Sequence, residues 1–302
     1  MTLPRCFFTL FLLLFAANIF AADSSGQRIF YPRRLAAVVV AEKGIYVGTL
    51  ATLNGIWYRH NAHSPFHFYN DNAGWMQVDK FGHMYSAYIQ SYYGLKAMKW
   101  AGVKPKHALI FGGGLGILMQ TPIEVLDGYS KAWGASWGDL IANTAGSLVL
   151  IGQEAGWKEQ RIVMKFSYSS TIFPQYRPAY FGTSSLENFM RDYNGHTYWF
   201  SANLKSFFKH SNIPAWLNIA AGYGATGMLA EYSNPPTYRG EPLPHFERRR
   251  QFYLAPDIDL SRIKTRSKAL KTVLIGLNLI KVPMPALEYN RVDGLRFHSI
   301  YF

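Results

Sequence analysis

Between residues 79 and 146, three apolar segments carry polar residues at helical spacing. The background residues are mostly Ala, Gly, Leu, Ile and aromatic, so each polar group stands out. The pairs are Asp79 with His83, Glu124 with Asp127, and Asp139 with Asn143. Residues three or four positions apart share one face of a helix. The pattern therefore predicts three apolar helices, each with one polar face.

The ends of these helices also have sequence signals. Asp79 stands at the start of the first helix, where a carboxylate can cap exposed backbone N–H groups. Ser136 followed by Asp139 is typical of a capping box, and Pro122 is predicted to kink or end the middle helix. Together with the apolar stretch Leu35 to Trp57, the segments predict an N-terminal bundle of about four helices.

The middle helix contains Gly112, Gly113, Gly114 and Gly116. Glycines inside an apolar helix allow a neighbouring helix to approach closely, since there is no side chain between the two backbones. We therefore expect this segment to pack tightly against another helix of the bundle.

After Gln153 the hydrophobic period changes from helical spacing to two residues, which is typical of strands with two unlike faces. Five segments show it, beginning near residues 164, 196, 216, 249 and 295. One helix, Ser267 to Leu279, interrupts them. The predicted fold class is α+β: an N-terminal apolar helical bundle (30–155), then a strand-rich antiparallel domain (160–302) with one further helix.

The strand-rich half has a second interpretation. Its aromatic-edged strands and its final Phe302 are also typical of outer-membrane barrels. Five strands are too few for a closed barrel of eight, so a small sheet packed on the helices is favoured.

Composition indicates contact with a membrane and export from the cytoplasm. Hydrophobic residues make up 49% of the chain and charged residues 16%, against about 25% charged in typical soluble domains. Residues 1–22 have the pattern of a signal peptide: one Arg, an apolar run and a small-residue end. Cys6 is the only cysteine and precedes the apolar run, where it is badly placed for lipidation. The mature chain is thus expected to lack cysteine.

The net charge of +13 narrows the class of partner. Basic residues are scattered along an exported chain, which argues against nucleic acid. A basic surface facing anionic lipid head groups or other anionic envelope components is the better interpretation. The sequence predicts no oligomeric state and identifies no cofactor.

If the three polar helices converge, their polar side chains form one pocket. A histidine with two carboxylates could hold a divalent metal that activates water, although no residue is assigned here as a metal ligand. Paired carboxylates could do acid–base work on a phosphate ester or glycosidic bond. Alternatively, the groups satisfy one another and fix the register of the helices. Asp79, Asp139 and Asn143 fit capping and register, whereas His83, Glu124 and Asp127 are the candidate catalytic residues.

The motifs DK..H, Q.PIEVLDG and W.ASWGDLIAN..G resemble the YfiM-like family of predicted periplasmic lipoproteins, whose function is unknown. They are more distantly similar to VanZ-like membrane proteins. The resemblance covers Asp79 to about Gly146. It implies an envelope protein in which Lys80 joins the six residues named above as shared polar positions. Two departures from the pattern are the missing lipidation cysteine after the signal and Asp127 at the position of the VanZ-like glutamine.

Two functional hypotheses follow. The first is a membrane-associated protein on the periplasmic side of a Gram-negative cell envelope, with a structural or binding role and a polar pocket inside its bundle. In this hypothesis Asp79, Lys80, Asp139 and Asn143 bind a ligand or set helix register. The alternative is an envelope hydrolase that acts on a lipid or cell-wall substrate and that a metal ion could assist.

Overall fold

A computed structural model describes residues 29–55 and 62–302 of the 302-residue chain. The predicted signal peptide at residues 1–22 lies outside the described residues. In the described part, helices come first and an antiparallel sheet follows, so the predicted α+β fold is confirmed.

The helical half contains four long helices. They are α1 (Pro32–Leu53), α2 (Val78–Trp100), α3 (Leu115–Gly128) and α4 (Trp137–Trp157). A short helix, Pro105–His107, and a π-turn, Ala108–Gly112, lead into α3. Helix α2 is central, since α1, α3 and α4 all pack against it.

The glycines permit close packing, as predicted. A Cβ atom at Gly112 would lie 2.6 Å from the backbone oxygen of Gly94 in α2. A side chain at Gly146 of α4 would overlap the backbone oxygen of Met84, and one at Gly116 that of Ala87. Helices α3 and α4 therefore touch the backbone of α2 at positions where only glycine fits.

Pro122 does not end its helix, because α3 continues to Gly128. Proline removes one backbone hydrogen bond and need not terminate a helix whose neighbours hold it in place. Helix α4 runs from Trp137 to Trp157.

The second half is built on a six-stranded antiparallel sheet with the order β1-β2-β3-β6-β7-β8. Its strands are β1 (Ile162–Tyr168), β2 (His196–Asn203), β3 (Leu217–Thr226), β6 (Arg249–Ile258), β7 (Met284–Asn290) and β8 (Gly294–Tyr301). A small hairpin between β3 and β6 pairs β4 (Thr237–Tyr238) with β5 (Glu241–Pro242).

Three short helices, α5 (Pro178–Phe181), α6 (Ser185–Arg191) and α7 (Leu204–Phe207), connect the strands and were not predicted. The predicted helix near the end is α8 (Lys268–Leu277). Strand β7 was also missed, because Pro283 and Pro285 obscure its period of two. The sheet accommodates the irregularity as a register shift between Met284 and Ala286.

Helix α2 joins the two halves. Its Phe81 and Tyr85 pack against Tyr198 of β2 and neighbouring aromatic residues. The hydroxyl of Tyr85 also donates to the backbone oxygen of Leu279, at 2.8 Å. Helix α4 ends at Trp157 and β1 begins at Ile162, around the expected boundary, but division into domains 30–155 and 160–302 stays a prediction.

Two stretches, Pro32–Leu53 and Pro105–Gly128, are long and apolar enough to cross a membrane by length and composition. The second stretch has apolar residues on its exposed side and polar residues on its buried side. Leu118 and Phe111 are exposed, whereas Gln120 and Glu124 are buried toward the bundle. That buried polar side of α3 contributes to the candidate site.

Candidate functional site

Lys80 joins three parts of the chain. Its ammonium nitrogen Nζ lies 2.7 Å from Asp71 Oδ2, 3.2 Å from Asp79 Oδ2 and 2.7 Å from Asp139 Oδ1. Asp71 comes from the segment before α2, Asp79 from α2 itself, and Asp139 from the first turn of α4. One cation therefore holds the segment before α2, the start of α2 and the start of α4 together.

His83 lies one turn further along α2, between two pairs of polar groups. Its Nε2 is 3.6 Å from Asp139 Oδ1 and 3.9 Å from Asp79 Oδ1. On the other side of the ring, Nδ1 is 3.3 Å from Asn143 Oδ1 and 3.5 Å from Glu124 Oε1. The imidazole thus contacts groups from α2, α3 and α4, as expected if the three polar helix faces converge.

Glu124 and Asn143 form the buried side of this cluster, with residue exposures of 2% and 1%. Glu124 Oε2 accepts a hydrogen bond from the backbone N–H of Ser136, at 3.3 Å. Among the described residues, Glu124 Oε1 and Asn143 Nδ2 have no hydrogen-bond partner. Buried polar atoms without partners are costly, so these two atoms are the positions where a bound group would be most favourable.

The charged forms of Lys80 and His83 are both stabilised in the cluster. Burial alone would lower the pKa of His83, but Asp79, Asp139 and Glu124 outweigh it and raise this pKa to about 9. Burial likewise disfavours charged Lys80, yet Asp79 and Asp139 raise its pKa. Both side chains are therefore positively charged at neutral pH.

The carboxyl groups differ from one another. Burial raises the pKa of Glu124 to about 8, although charged His83 opposes the shift. Burial also raises the pKa of Asp139 to about 7, against the effect of His83 and Lys80. For Asp79 burial is outweighed by His83, Lys80 and the hydrogen bond from Tyr193, which hold its pKa below the usual value. Near neutral pH the cluster therefore combines an ionised Asp79 with a largely protonated Glu124.

The capping interpretation is correct for Ser136 and wrong for the two aspartates. Ser136 Oγ accepts the backbone N–H of Asp139, at 3.2 Å. Among the described residues, no side chain caps the start of α2, whose N-cap is Gln77. The carboxylates of Asp79 and Asp139 bind Lys80 instead, because an ammonium group within 3.2 Å is a stronger partner than a backbone N–H.

Asp127 lies at the edge of the site. It is partly exposed, one turn beyond Glu124, and its charge contributes to the raised pKa of Glu124. The contacts around His83 come from Glu124, Asn143, Asp79 and Asp139, as given above. Asp127 thus acts on the cluster through its charge at a distance, and its predicted catalytic role stays untested.

Sequence reasoning missed three members of the cluster. Asp71 lies in a segment of loop composition, and Ser136 had been assigned only a capping role, yet Ser136 Oγ donates to Asp71 Oδ1 at 2.5 Å. Tyr193 belongs to the second half of the chain, and its hydroxyl donates to Asp79 Oδ1 at 2.7 Å. No local pattern in the sequence links Tyr193 to Asp79, since 114 residues separate them.

Asp79, His83 and Asp139 are also the residues that could hold a metal ion. One ligand atom from each lies within 4.8 Å of the others, and two carboxylates with an imidazole suit zinc and related divalent ions. The Lys80 ammonium, however, already contacts both of these carboxylates. A divalent ion would have to displace Lys80 from at least one of them.

Residues 67–151 match the model of a family described as "Predicted periplasmic lipoprotein (DUF2279)". The predicted resemblance to a family of periplasmic lipoproteins of unknown function is thereby confirmed for this part of the chain. The match spans the segment that includes Asp71 and all seven polar residues singled out from the sequence.

No curated protein and no solved structure matches the chain, and none of the comparisons supports the more distant VanZ-like resemblance. The chain is an envelope protein of the periplasmic side, as predicted, in agreement with the family description and with the apolar helix near its N-terminus.

Proposed function

We propose that this protein has a structural or binding role at an envelope membrane, in which the polar cluster holds α2, α4 and the segment before α2 in one arrangement. One observation carries the proposal: the Lys80 ammonium contacts carboxylates from the segment before α2, from α2 and from α4. The cluster therefore balances much of its own charge. A buried polar network with its members paired fixes one arrangement of the surrounding elements.

The cluster has an open side and a buried side. Asp71, Asp79 and His83 keep between 17% and 20% of their side-chain surface exposed. Behind them lie Glu124 Oε1 and Asn143 Nδ2, which have no hydrogen-bond partner among the described residues; Glu124 Oε1 is 3.5 Å from His83 Nδ1. A group that both donates and accepts, such as a hydroxyl or amide of a cell-wall component, would satisfy both atoms. This is the form in which a binding role fits the geometry.

An envelope hydrolase is the second candidate, and the His83–Glu124 pair favours it. A carboxyl group with a pKa near 8, 3.5 Å from a charged imidazole, is suited to general acid–base catalysis near neutral pH. In this candidate Glu124 transfers the proton and His83 positions the Glu124 carboxyl group. The charge of Asp127 contributes to the raised pKa of that group. If a metal ion takes part, Asp79, His83 and Asp139 would hold it. The ion would then activate a water molecule for attack.

Glu124→Gln separates the two candidates. The carboxyl group accepts from the Ser136 N–H at one oxygen and faces the His83 N–H with the other. Above its pKa of about 8 the carboxyl group accepts from both donors, whereas an amide must place its NH₂ group against one of them. In the structural role we expect a loss of roughly 1–3 kcal/mol in the free energy of unfolding, the cost of disturbing a buried polar group.

In the hydrolase, the same substitution abolishes turnover while the melting temperature stays unchanged or rises, as when a strained site is relaxed. Glu154→Gln is the matched control, because Glu154 pairs with the exposed Lys99 at 2.6 Å and should cost less than about 1 kcal/mol. Thermal unfolding of the full chain is measured in parallel with release of product from muropeptides and phospholipids. The structural role is refuted if Glu124→Gln keeps the melting temperature of the natural chain and the natural chain releases product while the variant does not.

A further inference from the structure

Strand β6 exposes apolar side chains, whereas a strand at the surface of a soluble protein normally exposes polar ones. Its Phe252 and Leu254 are 50% and 48% exposed, while Tyr253, Ala255 and Asp257 between and beyond them are buried. In antiparallel sheets with one solvated face, the polar residues normally point outward. Here the apolar residues do so.

The same inversion extends across three strands in register. Leu254 of β6 pairs with Leu287 of β7, which pairs with Phe297 of β8. A parallel row joins Phe252, Tyr289 and Leu295. The six side chains of these rows, which we call the outer face, are 41–70% exposed. Neighbouring strands lie about 4.8 Å apart, so the rows form one continuous apolar surface.

Polar groups occupy the opposite face of the same strands. Glu288 is buried and accepts hydrogen bonds from Gln251 at 2.8 Å and from His298 at 2.7 Å. Asp257, also buried, lies 2.7 Å from the Lys165 ammonium of β1. The charged groups on the buried face of the sheet therefore have partners. The exposure of apolar residues on the outer face does not come from a frayed or inverted strand.

The outer face continues a surface that is already covered elsewhere. On β3, the next strand, Tyr223 pairs with Phe252 and Ala221 with Leu254. Tyr223 stacks on Phe81 of α2, at 4.7 Å between ring centroids. Helix α2 thus covers this side of the sheet at β2 and β3, and leaves the outer face of β6–β8 without a cover among the described residues.

Basic residues lie at both ends of the outer face. Arg250 precedes Phe252 on β6, and Arg291 lies in the turn between β7 and β8; both are exposed. Past the other end of β6, exposed Lys264 and Arg266 precede α8, and exposed Lys268 begins it. Since the chain has a net charge of +13, a second copy would bring like charges together at both ends of this face.

We infer that the outer face of β6–β8 is a membrane-contact surface for anionic lipid. Acyl chains contact its apolar rows, and phosphate head groups contact the basic residues at its ends. Apolar side chains on the lipid side and paired polar groups on the other side are the arrangement seen in membrane-embedded sheets. Basic residues close to an anionic leaflet add attraction. The inference concerns residues other than those of the polar cluster and does not depend on any ligand there.

The test uses the full chain reconstituted into vesicles that contain a phospholipid with a photoactivatable diazirine on its acyl chain. One set of vesicles is phosphatidylcholine, and the other also contains phosphatidylglycerol. After illumination, mass spectrometry locates the lipid adducts. We expect adducts on Leu287, Leu295 and Phe297, several-fold fewer on the buried Glu288 and Asn290, and a higher yield in the phosphatidylglycerol vesicles.

Leu295→Glu should lower the adduct yield on the β6–β8 peptides several-fold. Leu186→Glu is the matched control, because Leu186 is also an exposed leucine but lies on α6, and it should leave the yield unchanged. Glu124→Gln should also label like the natural chain, which keeps this test separate from that of the polar cluster.

Three results would overturn the inference. The first is a yield on β6–β8 no higher than on the α6 peptide. The second is equal labelling in the two kinds of vesicle, which would exclude preference for anionic lipid. The third is cross-linking of β6–β8 between two copies, together with a dimer that Leu295→Glu dissociates.

Discussion

Replacing Lys80 by methionine tests the polar cluster most directly. Methionine keeps most of the apolar length of lysine but removes the ammonium group. Three carboxyl groups, from Asp71, Asp79 and Asp139, then lose their shared cation at 2.7–3.2 Å. The arrangement of the backbone is otherwise undisturbed, so the experiment measures the missing charge.

The expected loss follows from burial. The Lys80 side chain is 13% exposed and that of Asp139 is 6% exposed, which places the pair near the buried limit. Removing one partner of a buried ion pair costs roughly 3–5 kcal/mol. Part of this is recovered because Asp139, with a pKa of about 7, can take up a proton. We therefore expect a loss of about 2–4 kcal/mol at pH 7, less at pH 5.5, and more at pH 8.

Thermal or denaturant unfolding of the full chain measures this loss, and a melting temperature lower by roughly 5–10 °C corresponds to it. Lys99→Met is the matched control on the same helix. Lys99 has 46% of its side chain exposed and pairs with Glu154, so its removal should cost less than about 1 kcal/mol. In Lys80→Met/Asp139→Asn, the second substitution should recover part of the stability, since it removes one uncompensated carboxylate.

Equal losses for Lys80→Met and Lys99→Met, with the same value at pH 5.5 and pH 8, would refute the reasoning. In that case Lys80 would be an ordinary surface lysine, and the carboxylates would be stabilised by solvent. The proposal that the cluster holds α2, α4 and the segment before α2 in one arrangement would fail with it.

Two further predictions concern pH and packing. His83, Glu124 and Asp139 hold protons more tightly in the folded chain, with pKa values of about 9, 8 and 7, so the free energy of unfolding should fall as pH rises from about 6 to 9. Unfolding measured across this range should show a flatter slope in His83→Gln, and an unchanged slope would contradict the assignment. Gly146→Ala should strongly destabilise the chain, by roughly 3 kcal/mol or more, because its new methyl group overlaps backbone of α2. Gly152→Ala, in the same helix with open space around it, should gain about 0.5–1 kcal/mol, and similar melting temperatures for the two variants would disprove close α2–α4 packing.

The helical half was predictable because its signals are local. Polar pairs at helical spacing identified three helix faces, and glycines in apolar surroundings identified close contacts, as at Gly112. The convergence of His83 with Glu124, Asp139 and Asn143 follows once three such faces pack in one bundle. Local spacing therefore gave the members of the cluster that lie on these helices.

What the sequence did not reveal depends on contacts between distant segments. Asp71 lies in an irregular segment, and Tyr193 reaches Asp79 from the far half of the chain. Strand β7 was hidden by prolines, although its residues alternate cleanly once paired with β6 and β8. Even the capping role expected of Asp79 was wrong, because the partner that outcompetes the backbone is Lys80, which sits next to it.

The hydrogen bond from Tyr193 to Asp79 has a consequence for how this chain can be recombined. The family match ends at residue 151, before Tyr193, whose phenol donates the hydrogen bond to Asp79. A chimera that joins residues 67–151 to a foreign C-terminal half inherits the need for that donor. Chimeras with a hydroxyl group at the position of the Tyr193 phenol should assemble. Chimeras with phenylalanine there should leave Asp79 without this hydrogen bond.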